Sequence, residues 1–198
     1  MQHRTITPKV LYFGTPVAVV STLNDDRSTN LAPISSYWAL DDLLVIGLGT
    51  SSHTLANLRT RPELVLNLPV DADWQEVERL GRLTGAFPVP EDKPETTRFE
   101  PDKFAAIGWT GMTSTTVAPA RVAELPVHLE ATVTAIHDEA DGLSVVHARC
   151  TAVHASDEIT VPGTSHIDPA HWHPLIYSFR HYFGLGARRG IALRADIR

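Results

Sequence analysis

The chain contains a single cysteine, Cys150, which excludes an intrachain disulfide and any cysteine-built metal centre. It has no apolar run of membrane-spanning length, and its opening residues, MQHRTITPKVLYFG, carry neither the apolar core nor the small-residue cleavage site of a signal peptide. A cytoplasmic protein without a membrane partner is therefore expected. Positive charge is in deficit: 17 Lys and Arg against 23 Asp and Glu give a formal net charge of −6, and no basic cluster offsets it. Sequence-independent nucleic-acid binding needs a basic surface, so nucleic acid is not an expected partner. There is no Gly-x-Gly-x-x-Gly after the first strand, no glycine and lysine run of the P-loop type, no Gly-x-Ser-x-Gly elbow and no internal repeat. Rossmann, P-loop and serine-hydrolase readings thus lack support.

What remains is an ordinary globular composition, 43% hydrophobic and 20% charged, in 198 residues, which suits a single domain spanning 1–198. Short strands are predicted over Pro16 to Leu23, Thr29 to Trp38 with a break at Pro33, Leu43 to Leu48, and Glu63 to Leu68. A short helix is expected from Thr54 to Arg59, stopped by Pro62. Trp74, Val77, Leu80 and Leu83 recur every three residues and predict a helix over Asp71 to Thr84. The proline-rich stretch 86 to 101 reads as a surface loop, and Asp102 caps a short helix that Gly108 ends. Residues Thr110 to Pro119 read as irregular. Two alternating strands follow, Val127 to Ile136 and Leu143 to His154, joined by a tight turn into an antiparallel hairpin. Glu158 to Val161 is a further short strand, and Leu175 to Phe179 is the last strong apolar segment. The tail alternates Ile191, Leu193, Ala195 and Ile197, a pattern for an edge strand or for docking on a partner chain. Strands joined mainly by hairpins, with few helices, indicate an antiparallel barrel.

Chemistry concentrates between Asn30 and Asn57. One turn, Asn30-Leu31-Ala32-Pro33-Ile34-Ser35-Ser36-Tyr37-Trp38, precedes the strand at 43 to 48. The other, Gly47-Leu48-Gly49-Thr50-Ser51-Ser52-His53-Thr54, opens a helix. A helix start rich in hydroxyls turns free backbone N–H groups toward an anion, and the helix dipole adds to the attraction, so a phosphate site is expected at Thr50 to Thr54. An ordinary Ser/Thr cap with nothing bound is the plainer reading. Tyr37 and Trp38 serve equally well as core or interface aromatics. His166, Asp168, His171 and His173 could form a metal-ligand set, yet no helical spacing fixes them on one face, and a polar surface loop is expected instead. Glu130 lies on the outward face of its strand, where a cross-strand or ion-pair partner is its simplest role. Arg59 and Arg61 are expected to be solvated helix charges, within reach of a phosphate at that helix's entrance. Cys150 is expected to be a small core hydrophobe.

These residues carry a family resemblance. Gly14-Thr15-Pro16-Val17-Ala18-Val19-Val20-Ser21-Thr22, Asn30 to Ser36, Thr50 to Asn57, Asp102-Lys103-Phe104, Pro126-Val127-His128-Leu129-Glu130 and Phe179 to Gly186 occur in the order found in the flavin reductase-like family. The resemblance implies a mainly β, antiparallel Greek-key split β-barrel with a few peripheral helices, and a homodimer with FMN near the subunit interface. It implies that Asn30, Ala32, Pro33, Ile34, Ser35 and Ser36 lie along the isoalloxazine, with Trp38 beside it. Thr50, Ser51, Ser52, His53 and Thr54 would hold the phosphate, and Arg180 and Tyr182 would approach from the C-terminal segment. The activity implied is that of an FMN-dependent oxidoreductase drawing hydride from NADH or NADPH and serving a small acceptor, free flavin or oxygen. A flavin-binding or electron-transfer module without turnover is the alternative, and a scaffold without cofactor a third. No side chain is assigned to acid–base catalysis, because the cofactor carries the difficult step. His53 stands where the family pattern has Lys or Arg; a neutral histidine offers only a hydrogen bond near pH 7.

Overall fold

Residues 16–23 form not one strand but parts of two in the computed structural model, which describes residues 1–191. Strand β1 (Phe13–Pro16) is separated by Val17 from β2 (Ala18–Leu23). The chain then runs β3 (Thr29–Ile34), β4 (Tyr37–Leu40), β5 (Leu43–Gly49), α1 (His53–Thr60), β6 (Glu63–Leu68), α2 (Trp74–Leu80) and β7 (Leu83–Thr84). After it come β8 (Arg98–Phe99), α3 (Lys103–Ile107), β9 (Gly111–Met112), β10 (Arg121–Val122), β11 (Val127–Glu139), β12 (Leu143–Ala155), β13 (Ile176–Ser178) and β14 (His181–Phe183).

Seven strands make one antiparallel sheet in the order β3-β2-β6-β11-β12-β5-β4. Its two end strands are neighbours in the chain, separated only by Ser35 and Ser36. The sheet must therefore close on itself through one bent strand, whose first half pairs with β2 and whose second half pairs with β5. This is the expected mainly β antiparallel split barrel. A second small sheet, β1-β13-β14, stands beside it.

The bend follows from Pro33, which has no N–H for a ladder and sits next to the break. Two apolar clusters flank the sheet. Ala18, Val20, Leu44, Ile46, Leu64, Leu66, Ala131, Val146 and Ala148 fill the barrel, with Leu55 and Leu58 of α1 packed among them. Val17, Val19 and Leu31 point the other way, against Val77 and Leu80 of α2 and Ile107 of α3. Strand β2 is thus buried on both faces, which explains its unbroken apolar sequence. Each leucine fully buried on α1 is worth about 1.5–3 kcal/mol. An eight-residue helix needs that packing, since it would be marginal alone.

Further expectations also need correction. The helix foreseen over Asp71 to Thr84 covers only Trp74–Leu80, after a 3₁₀ turn at Asp71–Asp73. Val77 and Leu80 are its buried positions, and Leu83 instead joins β7, which pairs in parallel with β8 inside the expected loop. The strand foreseen over Glu158 to Val161 is a 3₁₀ turn at Asp157–Ile159 followed by an isolated bridge from Thr160 to Ile167. Ser156 caps that turn by accepting from the Glu158 N–H, a local bond that competes with a ladder. Glu130 is fully buried rather than outward-facing. From residue 192 onward the alternating tail lies outside the described residues. Among the described residues no helix is long and apolar enough to cross a membrane.

Candidate functional site

A cleft of about 410 Å³ opens at the bend of the β3–β4 strand. One wall is main chain and small side chains, from Ala32 through Pro33, Ile34, Ser35 and Ser36 to Gly47 and Gly49. The Ser36 hydroxyl donates to the Gly47 carbonyl at 2.6 Å, and the Gly47 N–H donates back to the Ser36 carbonyl at 2.7 Å. These two bonds hold the bend against β5. Val77 and Gly81 of the α2 region and Tyr12, Tyr177 and Tyr182 also line it. The three tyrosines form a ladder, with ring centroids 5.6 Å apart for Tyr12 and Tyr177 and 5.5 Å for Tyr177 and Tyr182.

Ser52 and Thr54, at the start of α1, line the same cleft. Ser52 is the N-cap, its Oγ accepting from the Leu55 N–H at 3.0 Å. The first-turn amides at His53 and Thr54 have no intrahelical acceptor by the geometry of a helix. Beneath them is a small annex of about 80 Å³, bounded by Asn30, His53, Thr54, Lys93 and Lys103 among others. Ala32, Ser52, Thr54, Gly81, Leu83 and Lys93 border both spaces.

The annex holds two costly groups. Asn30 is 1% exposed, and both its Nδ2 and its Oδ1 lack any hydrogen-bond partner. A buried unmade amide pair costs on the order of 1–3 kcal/mol per group. Lys103 is 3% exposed and its ammonium donates to the Leu31 carbonyl at 2.8 Å. Burial, with the charge of Lys93 adding to it, pushes its pKa down to about 7. Gly85 packs tightly against two annex residues, because a Cβ there would come within 2.6 Å of the His53 ring and 2.8 Å of Asn30 Oδ1. The imidazole of His53, which contacts Asn24 Oδ1 at 2.8 Å through Nε2, is pushed toward the neutral form by burial and by Lys103.

The residues singled out from the sequence fall into three groups. Ala32, Pro33, Ile34, Ser35, Ser36, Ser52, Thr54 and Tyr182 line the cleft, and Asn30 and His53 line the annex with Ser52 and Thr54. Thr50 and Ser51 are engaged elsewhere: Thr50 donates to the Gly142 carbonyl at 3.2 Å and Ser51 to Asp92 at 2.5 Å. Arg180 lines a neighbouring groove with Tyr182. Trp38 is 51% exposed and is not among the cleft residues; strand alternation turns it outward while Tyr37 packs on the barrel core. Arg59 pairs with Asp138, and Arg61 with Asp25 and the Leu23 carbonyl, so neither is directed at the α1 entrance.

Sequence reasoning missed Lys103 and Lys93, read as parts of a capped helix and a surface loop, and the pair Tyr12 and Tyr177. An Asp-Lys pair at the start of a five-residue helix carries no signal that the lysine points inward. Asp168 accepts from His171 Nδ1 at 2.9 Å and from the Ala170 N–H, which ties that loop to itself. No group of three or more His, Cys, Asp or Glu able to hold a metal occurs among the described residues.

Residues 10–186 match the flavin reductase like domain. The uncharacterised protein YdfE of Bacillus subtilis (strain 168) is 36% identical over 198 residues, covering 98% of this chain and 95% of its own. HsaB of Mycobacterium tuberculosis (strain ATCC 25618 / H37Rv), the reductase subunit of a flavin-dependent monooxygenase, is 29% identical over 150 residues, 73% of this chain and 68% of its own. Among solved structures, flavoredoxin of Desulfovibrio vulgaris (Miyazaki F) superposes with a TM-score of 0.80 at 17% identity, covering 98% of this chain and 99% of that one. At that identity the likeness speaks for the fold, and the match over residues 10–186 speaks for descent: the chain belongs to the flavin reductase like family.

Proposed function

We propose that the protein is an FMN-dependent oxidoreductase, which takes hydride from NADH or NADPH and passes electrons to a small acceptor. The observation that carries this reading is the annex, where Asn30 keeps a donor and an acceptor unpartnered beside the buried Lys103. A phosphate offers acceptors alone and would leave Asn30 Oδ1 unmet. The imide edge of a flavin offers an N–H between two carbonyls and answers both atoms of the carboxamide. The residues therefore fit the cofactor: Asn30 and Lys103 for the imide edge, and Ala32 to Ser36 for the ring margin. Ser52, Thr54 and Lys93, with the first-turn amides of α1, suit the phosphate.

When bound, the flavin supplies hydride acceptance and the onward donation of one or two electrons. The chain's own work is positioning. The two bonds between Ser36 and Gly47 fix the wall, the tyrosine ladder lends aromatic surface to the cleft, and Lys103, when protonated, brings positive charge to the pyrimidine end. Lys93 supplies at the phosphate the cationic charge that His53, pushed toward the neutral form, does not. The homodimer implied by the family belongs to the same reading. Trp38 and Leu40 leave an exposed apolar edge on β4 that suits a second copy.

Titration of FMN and riboflavin into wild-type, Asn30→Ala and Lys93→Gln protein tests the assignment. Asn30→Ala should weaken both ligands alike, about tenfold or more, as expected for a lost hydrogen-bond pair. Lys93→Gln should weaken FMN and spare riboflavin. Loss of FMN alone in the Asn30 variant would make the annex the phosphate site. Absence of any flavin binding, or flavin absorbance that NADH and NADPH both fail to bleach without oxygen, would overturn the oxidoreductase reading.

A further inference from the structure

The segment from Phe87 to Thr97 connects β7 to β8 and lends Lys93 and Thr97 to the annex. Its own backbone bonds are local: the Lys93 N–H donates to the Pro90 carbonyl and the Thr97 N–H to the Pro94 carbonyl. Among the described residues, a single hydrogen bond ties it to a distant part of the chain. The Ser51 hydroxyl donates to Asp92 Oδ2 at 2.5 Å, across 41 positions of sequence. Two neighbours on this segment thus serve different places. Lys93 is half-buried in the lining of cleft and annex, while Asp92 is exposed and holds Ser51.

Ser51 immediately precedes Ser52, the N-cap of α1, and the first turn of that helix has no acidic residue of its own. Asp92 therefore brings negative charge from elsewhere to the end of a helix that attracts anions. A loop anchor needs only an acceptor for the Ser51 hydroxyl, which a neutral amide supplies equally well. A full charge matters there only to another charge. A phosphate on the free amides of His53 and Thr54 would bring one, carrying about two negative charges near pH 7. Like charges set so close oppose binding. Asp92 and Lys93 act on the same anion with opposite sign.

We infer that Asp92 is an internal competitor for the anion at the start of α1, and that a phosphomonoester displaces it from Ser51. Part of the attraction of Lys93 and the helix amides for the phosphate is offset by the loss of that contact and by repulsion from the freed carboxylate. FMN is consequently an exchangeable ligand of this protein, one that binds and leaves between turnovers. Riboflavin, which has no phosphate, leaves the contact between Ser51 and Asp92 untouched. The inference rests on the flavin reading for the identity of the ligand and not for the contact itself.

Asp92→Asn keeps an acceptor for Ser51 and removes the charge, so the segment stays anchored. In fluorescence titrations of the full-length protein at fixed salt, it should tighten FMN about tenfold and leave riboflavin unchanged. Release of FMN in stopped-flow dilution should slow by a similar factor. Amide hydrogen exchange gives a second reading: saturating FMN should speed exchange at Asp92 and Lys93 of the wild type, and riboflavin should not. If Asp92→Asn tightens both flavins alike, leaves FMN unchanged or weakens it, Asp92 is a loop anchor and the inference falls while the flavin reading stands. If the protein takes up no flavin, the oxidoreductase reading fails, and inorganic phosphate decides the rest. Faster exchange at Asp92 and Lys93 with phosphate, in the wild type and not in Asp92→Asn, would keep the competitor; no response in the wild type would overturn it.

Discussion

Lys103 is held where lysines are seldom found, with one carbonyl as its hydrogen-bond partner and almost no contact with water. Its pKa of about 7 in the folded protein lies below the 10.5 of an unfolded chain. Between those values the unfolded chain binds the extra proton, so the folding stability of the ligand-free protein rises with pH across that window. Below about pH 7 the buried ammonium carries its full cost. Each pH unit of such a shift corresponds to about 1.4 kcal/mol. Lys103→Met should raise stability at pH 7 and flatten its rise toward pH 10, as read by denaturant titration. The same residue ties ligand binding to pH. A carbonyl-rich ring edge favours the protonated lysine, so riboflavin affinity should fall as pH rises from 6.5 to 8.5 in the wild type and stay level in Lys103→Met. An unchanged pH profile in the variant would detach the lysine from the ligand. Little of this was legible in the sequence. A capped five-residue helix reads the same whether its lysine faces solvent or core, and only the packing of α3 against β3 decides it.

At the scale of elements, the sequence disclosed alternation well and burial on the second face poorly. The pattern of β11 correctly separated Ala131 from Glu130, but it could not reveal that residues 113–120 cover the Glu130 side. That carboxylate accepts from the N–H and hydroxyl groups of Thr115 and Thr116 and from His154 Nε2. Burial alone would raise its pKa, yet those donors outweigh it and hold the carboxyl at about 2. The stability it provides is present above the unfolded value near 4.5 and is lost as pH falls from there toward 2. Glu130→Gln, which puts an N–H₂ among donors, should cost about 2–4 kcal/mol at pH 7 and remove that part of the acid dependence in chemical denaturation. A cost below about 0.5 kcal/mol would mean the loop is anchored by other contacts. The loop at 86–101 teaches a similar lesson. Its prolines and charges marked it as exposed, but Asp92 meets Ser51 across 41 positions of sequence and Lys93 borders the cleft, contacts that no local pattern encodes.

For the whole molecule, the barrel was readable because hairpins and strand alternation are local properties, and the family order of short motifs extended the reading to the site. Closure was not. The bend at Ser35 and Ser36 could be inferred as a break at Pro33, but not as the point where opposite ends of one sheet meet. That arrangement makes the ladders on its two sides share a single clasp. Fraying of the β2–β3 ladder frees the end of the β4–β5 ladder, and a ligand pressed against residues 32–36 restrains both. Amide hydrogen exchange should then slow together at Leu31 to Ile34 and at Tyr37 to Leu40 when FMN saturates the protein, even though Trp38 stands outside the cleft. Protection confined to the first segment would mean that the clasp does not transmit. If it does, ligand binding and barrel integrity are one equilibrium measured at two places.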